Sequence, residues 1–245
     1  MWARQKSERV RKTHRYGALS YRRVSVALAI FAMCLTVLLP AKAQERPLRV
    51  LATGVFATTL RSLAAPFETA TSYKLQVSIA NAGQVAARMA AGEPADIVMT
   101  SSASTKNLAK QGLLVPGEVP IGTMRLGLAV LAGPVPDLTS SDAFRRLLLA
   151  AEKIAYIDPN GGGSSGPFFE KMFASLGITD AVHAKAVLCK DGAEVVKAVA
   201  SGHAAVGMTQ ASELISAGGI TFAGYLPDSH NLTTAYSASM TTPSA

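Results

Sequence analysis

The 245-residue sequence contains only two cysteines, Cys34 and Cys189, and four histidines. So few cysteines exclude a disulfide framework, and a sizeable apolar core must carry the stability. The length suffices for one or two domains with such a core. His183, His203 and His230 show no ligand spacing with cysteine or acids. A metal held by protein ligands is therefore not expected, and nothing calls for a cofactor. There is no internal repeat, and no low-complexity run beyond one short Gly/Ser turn. The formal charge is +8, but residues 1–43 hold nine Lys/Arg and one acid, Glu8. The remainder carries fifteen basic and fifteen acidic residues. Without a basic excess in its body, the chain offers no nucleic-acid footprint.

Long hydrophobic runs are also scarce. One stretch, Val24–Leu39, is broken only by Ser25 and Thr36. It follows a basic region ending at Arg23 and leads into Pro40-Ala41-Lys42-Ala43, a small-x-small pattern. Residues 1–43 thus read as an export signal cleaved after Ala43. The periplasm is the expected destination, and the mature protein should not span the membrane. An uncleaved anchor is the competing reading, but the run falls short of the ~20 residues a span needs. Arg22-Arg23 suggests a twin-arginine route whose surrounding pattern is poor. Cys34 follows Met33 in mid-run, which does not fit a lipoprotein. With the leader removed Cys189 stands alone, and a buried small apolar role suits it.

The body alternates strand and helix patterns. Leu48–Ala52 is a first strand that reaches Thr53-Gly54-Val55. Thr58 or Thr59 can cap a helix with Leu60, Leu63, Ala64 and Phe67 on one face. Leu75–Ile79 is a second strand, which ends at Asn81-Ala82-Gly83, before a helix with Val85 and Met89 inward. Pro94–Met99 is a third, opening at Thr100-Ser101-Ser102. Pro116–Gly122 reads as a polar connection and Arg125–Leu131 as a strand. A helix from Ser140 or Ser141 follows, then a strand at Ile154–Ile157. Further strands are predicted near Ala184–Leu188 and at Ala205–Thr209, the latter with Gln210 at its exit. Between them lies a helix from Gly192 to Ser201. Ile220–Leu226 should return to the first set, and Thr233–Met240 closes the chain as a strand. Such alternation predicts parallel sheet covered by helices, with ligands at the carboxyl ends of the strands.

The most informative stretch is Ile154–Ile178. Its strand runs into Asp158-Pro159, then Asn160–Gly166, then Pro167 at a first-helical-turn position, with Gly177 as a helix stop. The free N–H groups of such a turn and helix start form an anion site. Gly162-Gly163-Ser164-Ser165-Gly166 also fits a hydrolase nucleophile elbow, with Asp191 and His203 as conceivable partners, but Asp158–Gly161 intervene where the elbow is sharp. Gly161-x-Gly163-x-x-Gly166 fits a dinucleotide fingerprint, again with the strand ending too early.

Four segments in order carry a family resemblance: LRVLA with LAAPFE, AAGEPADIV (Ala90–Val98), IAYIDPNGGGSSG with LGI (Leu176–Ile178), and VGMTQASE (Val206–Glu213). Over about residues 47–240 the chain resembles the molybdate-type periplasmic solute-binding proteins of ABC importers. The resemblance implies an α/β fold of two lobes, mixed or parallel sheets flanked by helices, and an interlobe ligand cleft. It implies a monomer that passes its ligand to a membrane permease, with no catalysis. Lobe 1 would span 44–123 plus 226–245 and lobe 2 would span 124–225, hinged near Met124 and Tyr225. The implied contacts are Thr53, Gly54, Val55, Asn81, Ala82, Gly83, Ser101, Ser102, Gly162, Gly163, Ser164, Ser165 and Gln210.

Arg125, at the start of a crossing strand, is a further ligand candidate, with Asp96 or Asp158 as other partners. Val55 stands where the family presents Ser, Asn81-Ala82-Gly83 replaces a Ser-rich loop, and Gln210 replaces a Tyr. The ligand is therefore expected to be a molybdate-like oxyanion or an organic carboxylate. Relatives continue into further helices, so the first lobe is expected to be lightly packed. The alternative is an enzyme on the same scaffold, an isomerase of an unsaturated carboxylic acid with Asp158 or His230 as base.

Overall fold

The computed structural model describes residues 46–242. The anticipated leader, with cleavage expected after Ala43, lies outside the described residues. Nine strands form one mixed sheet. Strands β1 (Leu48–Thr53), β2 (Leu75–Ala80) and β3 (Ile97–Ser101) are parallel, with β1 between the other two. Strand β4 (Val119–Leu131) is long, and β5 (Ile154–Ile157), β6 (Ala186–Cys189) and β7 (Val206–Gln210) form a second parallel set. Strands β8 (Ile220–Tyr225) and β9 (Thr233–Met240) complete the order β2-β1-β3-β9-β4-β7-β5-β6, with β8 beside β4. This is the expected α/β class, a mixed sheet flanked by helices.

Local sequence accounts for most of the helices. Asn81 caps α2 (Ala82–Ala90) in a reciprocal capping box with Gln84, and Val85 and Met89 face inward. Helix α3 (Ser102–Lys110) follows β3, and α4 (Ser141–Ala150) is capped by Ser140. Helix α5 (Gly166–Leu176) carries Pro167 in its first turn and buries Phe169, Met172 and Phe173. It ends at Gly177, in the left-handed conformation that glycine adopts without strain. A short α6 (Thr179–His183), not anticipated from the sequence, precedes β6. Helices α7 (Gly192–Ala200) and α8 (Ala211–Ile215) flank β7.

The first helix differs from expectation. Helix α1 (Ala57–Thr71) grows directly out of a 3-10 turn at Gly54–Phe56, so Phe56 precedes it and neither Thr58 nor Thr59 caps it. No residue of α1 is buried, and Leu63 is 54% exposed. The anticipated inward face of Leu60, Leu63, Ala64 and Phe67 is thus only partly covered.

Core packing falls into four clusters. In the two largest, Leu51, Val85, Val98, Leu108 and Leu114 pack around β1 and β3, while Leu126, Phe144, Tyr156, Phe169 and Phe173 pack around β4 and β5. Strand β4 joins them. Its first part, Val119–Arg125, pairs with β9, and its second, Leu126–Leu131, pairs with β7 and β8. Two corrections follow. Residues 119–122 are strand rather than loop, because antiparallel pairing with β9 outweighs their turn-like composition; a register shift between Pro120 and Gly122 absorbs those residues. Ile220–Tyr225 does not cross back to the first set. It pairs antiparallel with Gly127–Leu131, because β4 offers two free edges beyond Arg125, and β9 makes the return.

Asn231 locks this crossing. Its Oδ1 accepts from Leu126 N–H at 2.9 Å, and its Nδ2 donates to the carbonyls of Leu126 at 3.1 Å and Leu226 at 2.8 Å. Asn231→Ala leaves Leu126 N–H without its partner, while the two carbonyls keep Leu226 N–H and Arg125. The change should cost about 1–3 kcal/mol in a urea unfolding curve.

Candidate functional site

Five strand exits meet at one place. Thr53-Gly54-Val55 leaves β1, Asn81-Ala82 leaves β2, Gly163-Ser164-Ser165 follows β5, Lys190-Asp191-Gly192 follows β6, and Gln210 ends β7. They line a cavity of about 50 Å³ together with Ala80, Ile157, Thr209, Glu213 and Tyr236. That is several times the space one water needs. Each exit also begins a helix or 3-10 turn, so amide N–H groups and the positive ends of helix dipoles converge on the cavity.

The two halves touch directly here. Gly83 N–H donates to Gly162 O at 2.8 Å. A Cβ on Gly83 would lie 2.7 Å from Gly162 Cα, and Gly162 itself has φ +79°. Both positions therefore require glycine for close approach and for backbone conformation. Asn81 Nδ2 donates to Gly161 O at 2.9 Å and to Lys190 O at 3.1 Å. Gly83 and Gly162 were anticipated as ligand contacts, but they meet each other and do not line the cavity.

Two polar side chains in the cavity lack partners. Thr53 Oγ1 and Gln210 Oε1 are buried without a hydrogen bond, although their residues are only 5% and 4% exposed. Gln210 Nε2 reaches only Thr234 Oγ1, at 3.5 Å. Ser165 precedes α5 without capping it, so its buried hydroxyl also faces no helix N–H. Buried polar atoms are rarely left unpaired in folded proteins, and such clusters mark places built for a ligand or water.

Glu213 is the unusual titratable group. It is the third residue of α8, and its carboxyl turns back toward Gln210 N–H at the helix start. Thr209 Oγ1 donates to its Oε2 at 2.7 Å. Burial, with Asp191 adding a like charge, raises this carboxyl to about 7, against the pull of those hydrogen bonds. Its remaining surface is toward the cavity it lines. Burial and the nearby Glu213 push the Tyr236 phenol upward, while the hydroxyls of Ser164 and Thr234 act the other way. Asp191 Oδ1 caps α7 by accepting from Glu194 N–H at 2.9 Å. Lys190, the basic residue of the lining, pairs with Glu194 at 3.2 Å with its side chain 74% exposed.

Other anticipated residues lie elsewhere. Arg125 pairs with Asp228, reaches Leu226 O at 3.4 Å and stacks over Tyr225 at 5.0 Å. It lines a separate surface pocket with Ser140 and Ser141, because the Asp228 carboxylate holds its guanidinium there. Ser101 Oγ accepts from Ser104 N–H at 3.3 Å as the cap of α3, and Ser102 begins that helix. Neither lines the cavity; Tyr236, the β9 partner of Ser101, does so instead. Asp158 accepts from Asn160 N–H and shapes the turn, and His230 lies in a 3-10 turn beside Asp228. Neither proposed base is in the cavity. Ser164 has the Tyr236 phenol for a neighbour, not a histidine, so no nucleophile elbow forms.

Sequence reasoning missed Lys190-Asp191-Gly192, Thr209, Glu213 and Tyr236. The first group was findable, since it is a polar turn at a strand exit like the others. Glu213 and Tyr236 gave no such signal. Among the described residues, no group of three His, Cys, Asp or Glu could hold a metal, and no helix is long and apolar enough to cross a membrane. Cys189 is buried, which raises its thiol to about 11 and leaves it unreactive.

Comparison with known proteins identifies a family and a shared fold. Residues 48–245 match the family described as bacterial extracellular solute-binding protein. A protein of a Pseudomonas species named aconitate isomerase is 33% identical over 229 residues, 90% of this chain and 85% of its own. The periplasmic molybdate-binding protein of Azotobacter vinelandii superposes with a TM-score of 0.68 at 23% identity, over 81% of this chain and 87% of that one. The protein PEB3, solved with L-phospholactate bound, gives 0.60 at 14% identity, over 79% and 86%. At such identities the two structures establish the shared fold alone.

The raised Glu213 carboxyl has a consequence for stability. From the ordinary carboxylate range up to about 7 it is protonated in the folded state and ionised in the unfolded one. The folded state then binds more protons, so stability is present at low pH and declines as pH rises through that window. The decline attributable to this group should reach up to about 3 kcal/mol between about pH 5 and pH 8. Glu213→Gln should remove that part of the slope in thermal melts of the ligand-free protein.

Proposed function

The chain belongs to the bacterial extracellular solute-binding proteins, and on that premise we propose that its cavity binds a small carboxylate or tetrahedral oxyanion for delivery to the permease of an ABC-type importer. The observation that carries this reading is the pair of unpartnered buried groups, Thr53 Oγ1 and Gln210 Oε1, in one cavity ringed by helix starts. Each such group left unpaired costs about 1–3 kcal/mol, which a ligand that bonds to it recovers. A half-turn of the Gln210 amide exchanges its oxygen and nitrogen without changing its shape, and so presents N–H to an anion. Hydroxyls, amides and helix starts can hold an oxyanion without a countercharge, which suits a lining whose lysine is engaged elsewhere.

The protein acts in the periplasm as a monomer in this reading. Residues 44–123 plus 226–245 form one lobe and 124–225 the other. They close by rotation about the strands near Met124 and Tyr225. The passage of β4 from one half of the sheet to the other at Arg125–Leu126 supports that hinge. Calorimetric titration with molybdate, tungstate, sulfate, phosphate and di- and tricarboxylates tests the reading, and heat from none of them would refute it. Thr53→Val should leave stability unchanged or raised, because an unpaired hydroxyl is removed, yet weaken binding about tenfold. A Ser164→Ala, Ser165→Ala double change should also weaken it.

A second reading is an isomerase of an unsaturated tricarboxylic acid, favoured by the 33% identical relative and by Glu213. Ionised Glu213 would take a proton from the methylene carbon that lies between a carboxylate and the double bond. The resulting electron pair is shared across three carbons. Return of the same proton to the far carbon shifts the double bond and can change its geometry, with no co-reactant. A carboxyl poised near neutral suits such a transfer. Ultraviolet assay of cis- and trans-aconitate interconversion decides this: turnover abolished by Glu213→Gln supports it, and binding without turnover rejects it.

A further inference from the structure

Glu213 is the part of the cavity that anion binding alone leaves unexplained, since an ionised acid beside the site repels an anion. Its surroundings are specific. A Cβ on either Gly54 or Gly192 would overlap its carboxyl, so a turn from each half of the molecule lies against it. The carboxyl thus occupies the space between two helix starts, as an external anion would.

The groups facing it come from α7, β7 and β9. Asp191, at the start of α7, adds like charge; Thr209 of β7 donates a hydrogen bond; Tyr236 of β9 lies near enough for the Glu213 carboxylate to oppose ionisation of its phenol. The cations on or beside the other elements packed on α8 are committed elsewhere. Arg125 of β4 pairs with Asp228 and covers Tyr225 of β8, Arg61 of α1 bonds to Ala57 O at 3.0 Å, and Lys190 pairs with Glu194. None compensates a second negative charge beside Glu213.

Resting on the anion-binding reading above, we infer that solute binding is coupled to uptake of one proton at Glu213. The ionised carboxyl acts as an internal competitor for the ring of donors. Once protonated it no longer repels the solute, and its O–H becomes one more donor to it. The site therefore captures its anion on the acid side of neutrality and releases it on the alkaline side. Because the carboxyl is already poised at about 7, a small change of pH suffices.

The test is calorimetry of molybdate and of trans-aconitate binding to wild type and Glu213→Gln, from about pH 6 to pH 9, in buffers of unequal ionisation enthalpy. Wild type should take up close to one proton per anion above about pH 8, with affinity falling about tenfold per pH unit there. Glu213→Gln should bind without proton uptake and with little dependence on pH. Binding by wild type with no proton uptake, or with a pH slope the variant shares, overturns the inference. Turnover of trans-aconitate without uptake on binding also overturns it, in favour of Glu213 as base. If neither anion binds wild type at any pH, the anion-site reading falls and this inference with it. If ligand-free melts of wild type and variant depend on pH identically, the inference alone falls.

Discussion

Asn81 is the contact on which the site depends. Its Oδ1 caps α2 in one half of the molecule, and its Nδ2 donates to two carbonyls, Gly161 and Lys190, in the other. One amide thus spends donor and acceptor together and pins two turns of the second half to a helix start of the first. The neighbouring bond from Gly83 to Gly162 brings the backbones so close that neither residue has room for a side chain. The cavity exists because these contacts hold the strand exits face to face.

That closure dictates the chemistry within. The walls are backbone amides, hydroxyls and an amide side chain, and the available cation is tied up outside. A site of this kind recognises an anion by donor geometry more than by charge. Glu213 is the exception, and its burial among helix starts makes it a group whose protonation state matters near neutral pH. The same carboxyl could oppose an anion or move a proton on one. The fold serves either role, so the distinction rests on this residue and its neighbours.

Much of the architecture was legible in the chain. The strand, Gly/Ser turn and helix at Ile154–Leu176 are written in local signals: an apolar run, Pro167 in the first turn and Gly177 at the stop. Strand exits could be ranked as site candidates because polar turns follow apolar runs, and most of the cavity comes from such exits. Three differences between place in the chain and place in the fold share one cause. Arg125, Ser101 and the Ile220–Tyr225 strand were assigned by position along the chain, whereas their roles follow from Asp228, the α3 N-terminus and a free edge of β4. Each of those partners is distant in sequence or competes locally with the ligand role.

The sequence by itself determined the element types, the concentration of excess positive charge in residues 1–43, the reliance on an apolar core and the positions of the donor-rich turns. These follow from composition and from periodicities of two and 3.6 residues, which are local properties. Only the tertiary structure decided which turns share a cavity, that Asn81, Gly83 and Gly162 serve closure, and that Glu213 lies inside. Those outcomes depend on how β4 crosses between the two halves and on what surrounds a side chain from all directions. The Gly/Ser turn supplies Gly163, Ser164 and Ser165 to the lining, and the strand exits Thr53 and Gln210, also legible in the chain, supply its unpartnered groups; Glu213, reached only through space, supplies its raised carboxyl.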